Sequence, residues 1–134
     1  MSAGAAEAIA SELRQALPES VVAVREVAVA PGLFDVDVNT GSWSLTLSVA
    51  PNGTRVRLML DDYVIDGLSL ADAAAAVVAL DQGRATIRRE GSLLFGSVLT
   101  LELPSDGGLL SARRRGRRLE EWEANLASPT GTTE

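Results

Sequence analysis

FDVDVNTGSWSLTLSVAPNGTRVRLML, residues 34–60, decides the fold. Phe34, Val36 and Val38 alternate with Asp35, Asp37 and Asn39, and Trp43, Leu45, Leu47 and Val49 alternate with Ser42, Ser44, Thr46 and Ser48. Successive side chains of a strand point to opposite faces, so this period of two describes a sheet with one buried and one wet face. Asn39-Thr40-Gly41 and Pro51-Asn52-Gly53 are turn signals between the runs, and consecutive strands should therefore pair as antiparallel hairpins. Val56, Leu58 and Leu60 continue the apolar face, while Arg55 and Arg57 point the other way.

Upstream, Ile9, Leu13 and Leu17 recur at four-residue spacing, which predicts a helix over 5–16 that Pro18 stops. Residues 21–30, VVAVREVAVA, read as a strand ending at Pro31-Gly32, and together with the three downstream runs they make a four-strand meander. Val22 and Val24 fall on one side of that strand and Val27 and Val29 on the other, which predicts a bulge near Arg25-Glu26. Asp61, Asp62 and Asp66 follow the fourth strand as strand-end and turn residues.

Downstream, Ser69 is placed as an N-cap with Asp72 three residues on, and a helix runs to Asp81 before Gly83. A long hairpin follows over 84–103, with its turn at Gly91-Ser92 and with Leu93, Phe95, Leu99, Leu101 and Leu103 on one face. It ends at Pro104-Ser105-Asp106-Gly107-Gly108. Leu119, Trp122 and Leu126 mark the buried stripe of a last helix, with Arg113, Arg114, Arg117 and Arg118 spread over its opposite side. Arg115 falls in the apolar arc unless that helix begins after Gly116.

These elements predict an α+β fold: an antiparallel four-strand meander plus a long hairpin, with helices at the N-terminus, between meander and hairpin, and at the C-terminus. A small closed barrel gripped by a helix is the alternative. Residues 1–127 form the expected domain, and the Pro, Gly and Thr content of 128–134 predicts a disordered tail.

Composition narrows the chemistry. The chain has no His, no Cys and no Lys, and all 12 of its basic residues are Arg. The Ser-His-Asp triad, papain-like thiolate chemistry, Cys/His zinc sites, iron–sulfur clusters, Schiff-base lysines and Walker-type phosphate loops are thereby excluded. Carboxylate chemistry, oxygen-ligated cations, anion recognition by Arg, and binding surfaces remain. Asp35 and Asp37 on the wet face, and Asp61, Asp62 and Asp66 beyond the fourth strand, are metal candidates, but strand alternation and turn chemistry account for them without a metal. Glu26 and Glu102 are the only glutamates within apolar strand runs, and both read as outward-facing. No catalytic residue, metal site or cofactor is assigned, and the chain reads as non-enzymatic.

The sharpest local signal is Arg113 to Arg118, RRRGRR, whose guanidiniums suit planar anions or an acidic partner. Glu120, Glu121 and Glu123 follow at helical spacing for intrahelical pairs. The net charge of −6 argues against nucleic acid and anionic membrane as partners. The Ser44 and Thr46 face is neutral and small, which suits a second sheet, a helix or another copy of the chain. Trp43 and Trp122 read first as core residues, and either also suits an interface anchor. Arg113, Arg114, Arg117, Arg118, Ser44 and Thr46 are therefore the candidate partner-binding residues.

In element order, compactness and acidity the chain resembles the small secretion-chaperone-like α/β proteins, which implies a dimeric binder of another protein's segment. The expected function is thus protein binding in a secretion-chaperone-like manner, with a second protein or a second copy as partner. Small-ligand binding and an immunity or antitoxin-like role are the alternatives. The absence of Cys, of a signal peptide and of a long apolar run places it in the cytoplasm.

Overall fold

The computed structural model describes residues 2–50, 55–92, 96–105, 107–116 and 118–127. The element order is α1 (Ser2–Ala16), β1 (Val21–Glu26), β2 (Phe34–Asn39), β3 (Ser44–Val49), β4 (Val56–Leu60), β5 (Tyr63–Leu68), α2 (Leu70–Asp81), β6 (Thr86–Ser92), β7 (Gly96–Ser105), β8 (Gly108–Arg115) and α3 (Glu121–Ala127). β1 to β5 form an antiparallel meander in sequence order, and β6 to β8 form a second, three-stranded antiparallel sheet. The protein is α+β, with helices before, between and after the two sheets.

The alternation in 34–60 sets the register. Asp35 pairs with Ser48, Asp37 with Thr46, Val36 with Leu47 and Val38 with Leu45. Val36, Val38, Leu45, Leu47, Val49, Val56, Leu58 and Leu60 all fall on the core side and are buried. Ile9 and Leu13 of α1, with Leu17 just beyond its end, close over this face, with Ala6 and Ala10 allowing close approach. α2 touches α1, β4 and β5, and most extensively β7, whose Leu99, Leu101 and Leu103 are wholly buried.

Both ends of α2 follow their local chemistry. The Ser69 hydroxyl accepts from the Asp72 amide at 3.0 Å, a side-chain N-cap. The Asp72 carboxylate accepts from the Gly107 amide at 3.0 Å and so ties the helix start to the β7–β8 turn. At the other end Arg84 N donates to Ala79 O at 2.9 Å and Gly83 N to Leu80 O at 3.2 Å, with Gly83 at φ 73°. This pair of bonds is a Schellman motif, and its left-handed position favours Gly.

Four expectations are revised. β1 stops at Glu26 in regular register with β2, without a bulge, and Val27 to Leu33 form a hydrogen-bonded turn that leaves Val29 exposed. The meander has a fifth strand, because Asp61 adopts φ 51° and reverses the chain tightly so that Tyr63 pairs with Leu60. Gly91 and Ser92 lie within β6, paired with Ser97 and Gly96, rather than in the turn. Arg113, Arg114 and Arg115 belong to strand β8 and not to a helix: Leu110, Ala112 and Arg114 alternate inward against Leu109, Ser111, Arg113 and Arg115 outward. Leu93, Phe95, Arg117 and the expected tail 128–134 lie outside the described residues.

Candidate functional site

The inward guanidinium of β8 defines the most polar part of the interior. Arg114 donates to Glu123 from Nε at 2.9 Å and also from Nη2, and that carboxylate accepts from the Tyr63 hydroxyl at 2.5 Å and from the Glu120 amide at 2.6 Å. Glu123 is wholly buried. Burial alone would push its carboxyl up, but the hydrogen bonds from Arg114, Tyr63 and Glu120 and the Arg114 charge outweigh this and hold it below the ordinary carboxylate value. The same cluster acts on its partners. Burial, then the Glu123 bond, pushes the Tyr63 phenol well up, and the bond to Glu123 raises Arg114. Arg114 also donates to Arg118 O at 2.8 Å and lies over the Tyr63 ring at 5.8 Å from its centroid. Because the Glu123 side chain returns to the amide three residues before it, it also completes half of a capping box for α3.

Every strong acceptor position of that carboxylate is filled, so the cluster docks α3 and leaves Glu123 no room for a reactant. Its effect is to fix Trp122. The Trp122 indole N–H donates to Asp61 Oδ2 at 2.6 Å, and its ring meets Tyr63 edge-to-face at 5.9 Å and 73°.

The opposite face of the five-stranded sheet uses its carboxylates too. Asp35 accepts from the Ser48 hydroxyl at 2.6 Å and pairs with Arg25 at 3.0 Å, and Asp37 accepts from Thr46 at 2.7 Å and pairs with Arg25 at 2.8 Å. Asp35, expected to be solvated, is only 8% exposed, because Ser48 and Arg25 close over it. The Ser44 and Thr46 surface is consequently less neutral than its own strand suggests, since the hairpin register sets Asp37 beside Thr46. Among the described residues no three acidic side chains converge as metal ligands.

A cleft of about 490 Å³ opens where four element ends meet: the α1–β1 connection, the β2–β3 turn, the end of α2, and α3. Both tryptophans of the chain line it. Trp43 is presented by a turn in which the Thr40 hydroxyl donates to Trp43 O and accepts from the Ser42 and Trp43 amides, each at 3.2 Å. Asn39 Oδ1 accepts from the Gly41 amide at 2.9 Å and tightens the same turn, with Gly41 at φ 92°. Glu19, Asp81 and Asn125 add polar groups, and no lining residue is basic. On the far side of the β2–β3 hairpin a shallower depression of about 350 Å³ is lined by Asp37, Ser44, Thr46, Met59 and Asp61, again with no basic residue.

The candidate residues are thus dispersed. Arg113 is exposed on the outer face of β8, Arg114 is drawn inside, and Arg118 is exposed with its carbonyl held by Arg114. Arg114 is thereby withdrawn from any surface that Arg113 and Arg118 present. Ser44 and Thr46 do share a site, the depression beside Asp37 and Asp61. Trp43 and Trp122 both pack against the core and also face the cleft. Glu19, Asp81, Thr40 and Asn125 escape the sequence reading because they converge only through tertiary packing. Asp81 alone carries a local signal: it ends a helix with no basic residue in its last turn, where the carbonyl end of the dipole disfavours an anion.

No known protein family, curated protein or solved structure matches this chain.

Proposed function

We propose that this is a non-enzymatic protein-binding domain that holds a segment of a partner protein in the cleft between Trp43 and Trp122. The observation that supports it is the convergence of the only two tryptophans, from distant parts of the sequence, on one open cleft. Tryptophan is enriched among residues that dominate binding energy, because it presents a large rigid surface at small entropic cost. Glu123 is consumed in docking α3, and Asp35 and Asp37 on the outer face are paired, so none of these three carboxylates is poised for proton transfer. This reading includes a chaperone-like use of the domain in the cytoplasm. No helix among the described residues is long and apolar enough to cross a membrane.

Small-ligand binding is the second reading, favoured by a volume within the usual range for ligand sites. The walls present more polar than apolar surface and open broadly to solvent, which suits a peptide segment better than an enclosed apolar ligand. Panning a display library of random peptides against the protein tests the proposal. Retained peptides should compete with one another and lose binding to Trp43→Ala and to Ser42→Arg, the latter placing a bulky side chain at an exposed rim position. Peptides that bind both variants as well as the original chain would refute it.

A further inference from the structure

We infer that the segment held in the cleft is basic, with an arginine or lysine side chain of the partner seated between the two indoles. This rests on the cleft being the binding site. Indole faces attract cations through the ring quadrupole, most strongly where water is partly excluded. The carboxylates at the mouth, Glu19 and Asp81, are both exposed and have no ion pair among the described residues.

The backbone adds to the same field. α1 ends at Ala16 and α2 at Asp81, and the residues just beyond both ends line the cleft, so two carbonyl termini with partial negative charge converge there. Asp81 adds a full negative charge at one of those termini, against the dipole. A cation in the cleft relieves this arrangement, and an anion aggravates it. Arg14, in the last turn of α1, has its guanidinium bonded to Val22 O, and no Arg lines either the cleft or the depression beyond the hairpin.

That depression supplies the second anchor. Asp37 is already paired with Arg25, whereas the Asp61 carboxylate, bonded among the described residues to Trp122 alone, lies on the depression wall. Asp61 therefore links the two sites: one oxygen orients the indole of the first, and the carboxylate faces the second. A segment crossing the β2–β3 hairpin meets Trp43, Ser44 and then Asp61, so two basic residues a few positions apart fit the surface better than one. The other charged surface carries the outward arginines of β6 and β8. There Arg88 is paired with both Glu90 and Glu102.

The test uses four ten-residue peptides that alternate Gly with Arg, Lys, Gln or Glu, titrated into the full chain while tryptophan fluorescence is followed. The Arg–Gly and Lys–Gly peptides should change the emission and bind about tenfold or more tightly than the Gln–Gly peptide. Their affinity should fall as salt rises. Glu19→Gln with Asp81→Asn, both exposed positions, should weaken Arg–Gly binding about 5- to 10-fold without loss of the folded circular dichroism spectrum. Equal binding of Gln–Gly and Arg–Gly, or no effect of the double substitution, overturns the preference for cations while leaving the cleft as the site. Arg–Gly binding that is unaffected by both Ser42→Arg and Trp43→Ala overturns the cleft itself.

Discussion

Replacing Arg114 with Met should be the most damaging single change in the chain for its size. The Arg114 side chain is 9% exposed and Glu123 0% exposed, so the substitution leaves a carboxylate in the interior without its counter-charge. Breaking a buried pair from one side costs about 3–5 kcal/mol, whereas replacing both partners with apolar groups is far less costly. Against a total stability of about 5–15 kcal/mol for a domain of ordinary size, the single change removes about a fifth or more. Arg114→Met with Glu123→Met removes the charge but orphans the Tyr63 hydroxyl and the Glu120 amide. The double variant should therefore be no less stable than Arg114→Met alone, giving a coupling of about 2 kcal/mol or more in a double-mutant cycle. Adding Tyr63→Phe should recover about 1 kcal/mol further.

The same cluster sets a pH dependence with a definite sign. Glu123 is held below its unfolded value, so its contribution is complete above about pH 4.3 and is lost as pH falls through the lower folded value. In Arg114→Met, burial dominates and pushes the carboxyl above its unfolded value. The deficit of that variant should then shrink as pH falls from neutral toward about 4.3, opposite to the original chain. Urea unfolding at several pH values between 7 and 3 measures both effects. A loss below about 1 kcal/mol at pH 7, or single-variant losses that simply add in the double variant, would refute the reasoning.

Three other outcomes follow from named contacts. Thr100→Val should stabilise the protein by about 1 kcal/mol, seen as a rise in Tm of about 3–5 °C, because the Thr100 hydroxyl is buried without a partner among the described residues and Val keeps its shape. Asp61→Ala should cost about 2 kcal/mol, combining left-handed strain with loss of the Trp122 bond, whereas Asp61→Asn, which tolerates φ 51° and keeps an acceptor, should cost under about 0.5 kcal/mol by thermal denaturation. Asp81→Asn should stabilise the free chain by about 0.3–1 kcal/mol in urea while weakening its binding to the Arg–Gly peptide, since the charge opposes the end of its own helix.

The residues that a local rule governs were readable, and those that a distant partner governs were not. The alternation from Phe34 to Leu60 fixed strand boundaries and faces, because each wrong register would have turned valines and leucines to water. Ser69 and Gly83 marked α2 for the same local reason. β5 was hidden because its turn uses Asp61, a left-handed residue that is not glycine, beside a second Asp that looked like a strand end. β8 was hidden because Arg114 breaks its inward apolar row, and that is tolerable only with Glu123 arriving from α3. The arginine-rich run reads as one surface along the chain, but strand geometry sends Arg114 to the opposite face from Arg113 and Arg115. The cleft has no signature in any one segment, since Trp43 and Trp122 meet only when a turn and a short helix are docked against the same core.

The most direct test of the cleft follows its two indole N–H signals in ¹H–¹⁵N spectra during titration with the Arg–Gly peptide. The chain holds two tryptophans, so each signal reports on one wall. Both signals should shift together, along with the amides of Thr40, Ser42 and Gly83 that border the cleft. Shifts confined to the amides of Arg113 and Arg115, with both indole signals unmoved, would contradict the account.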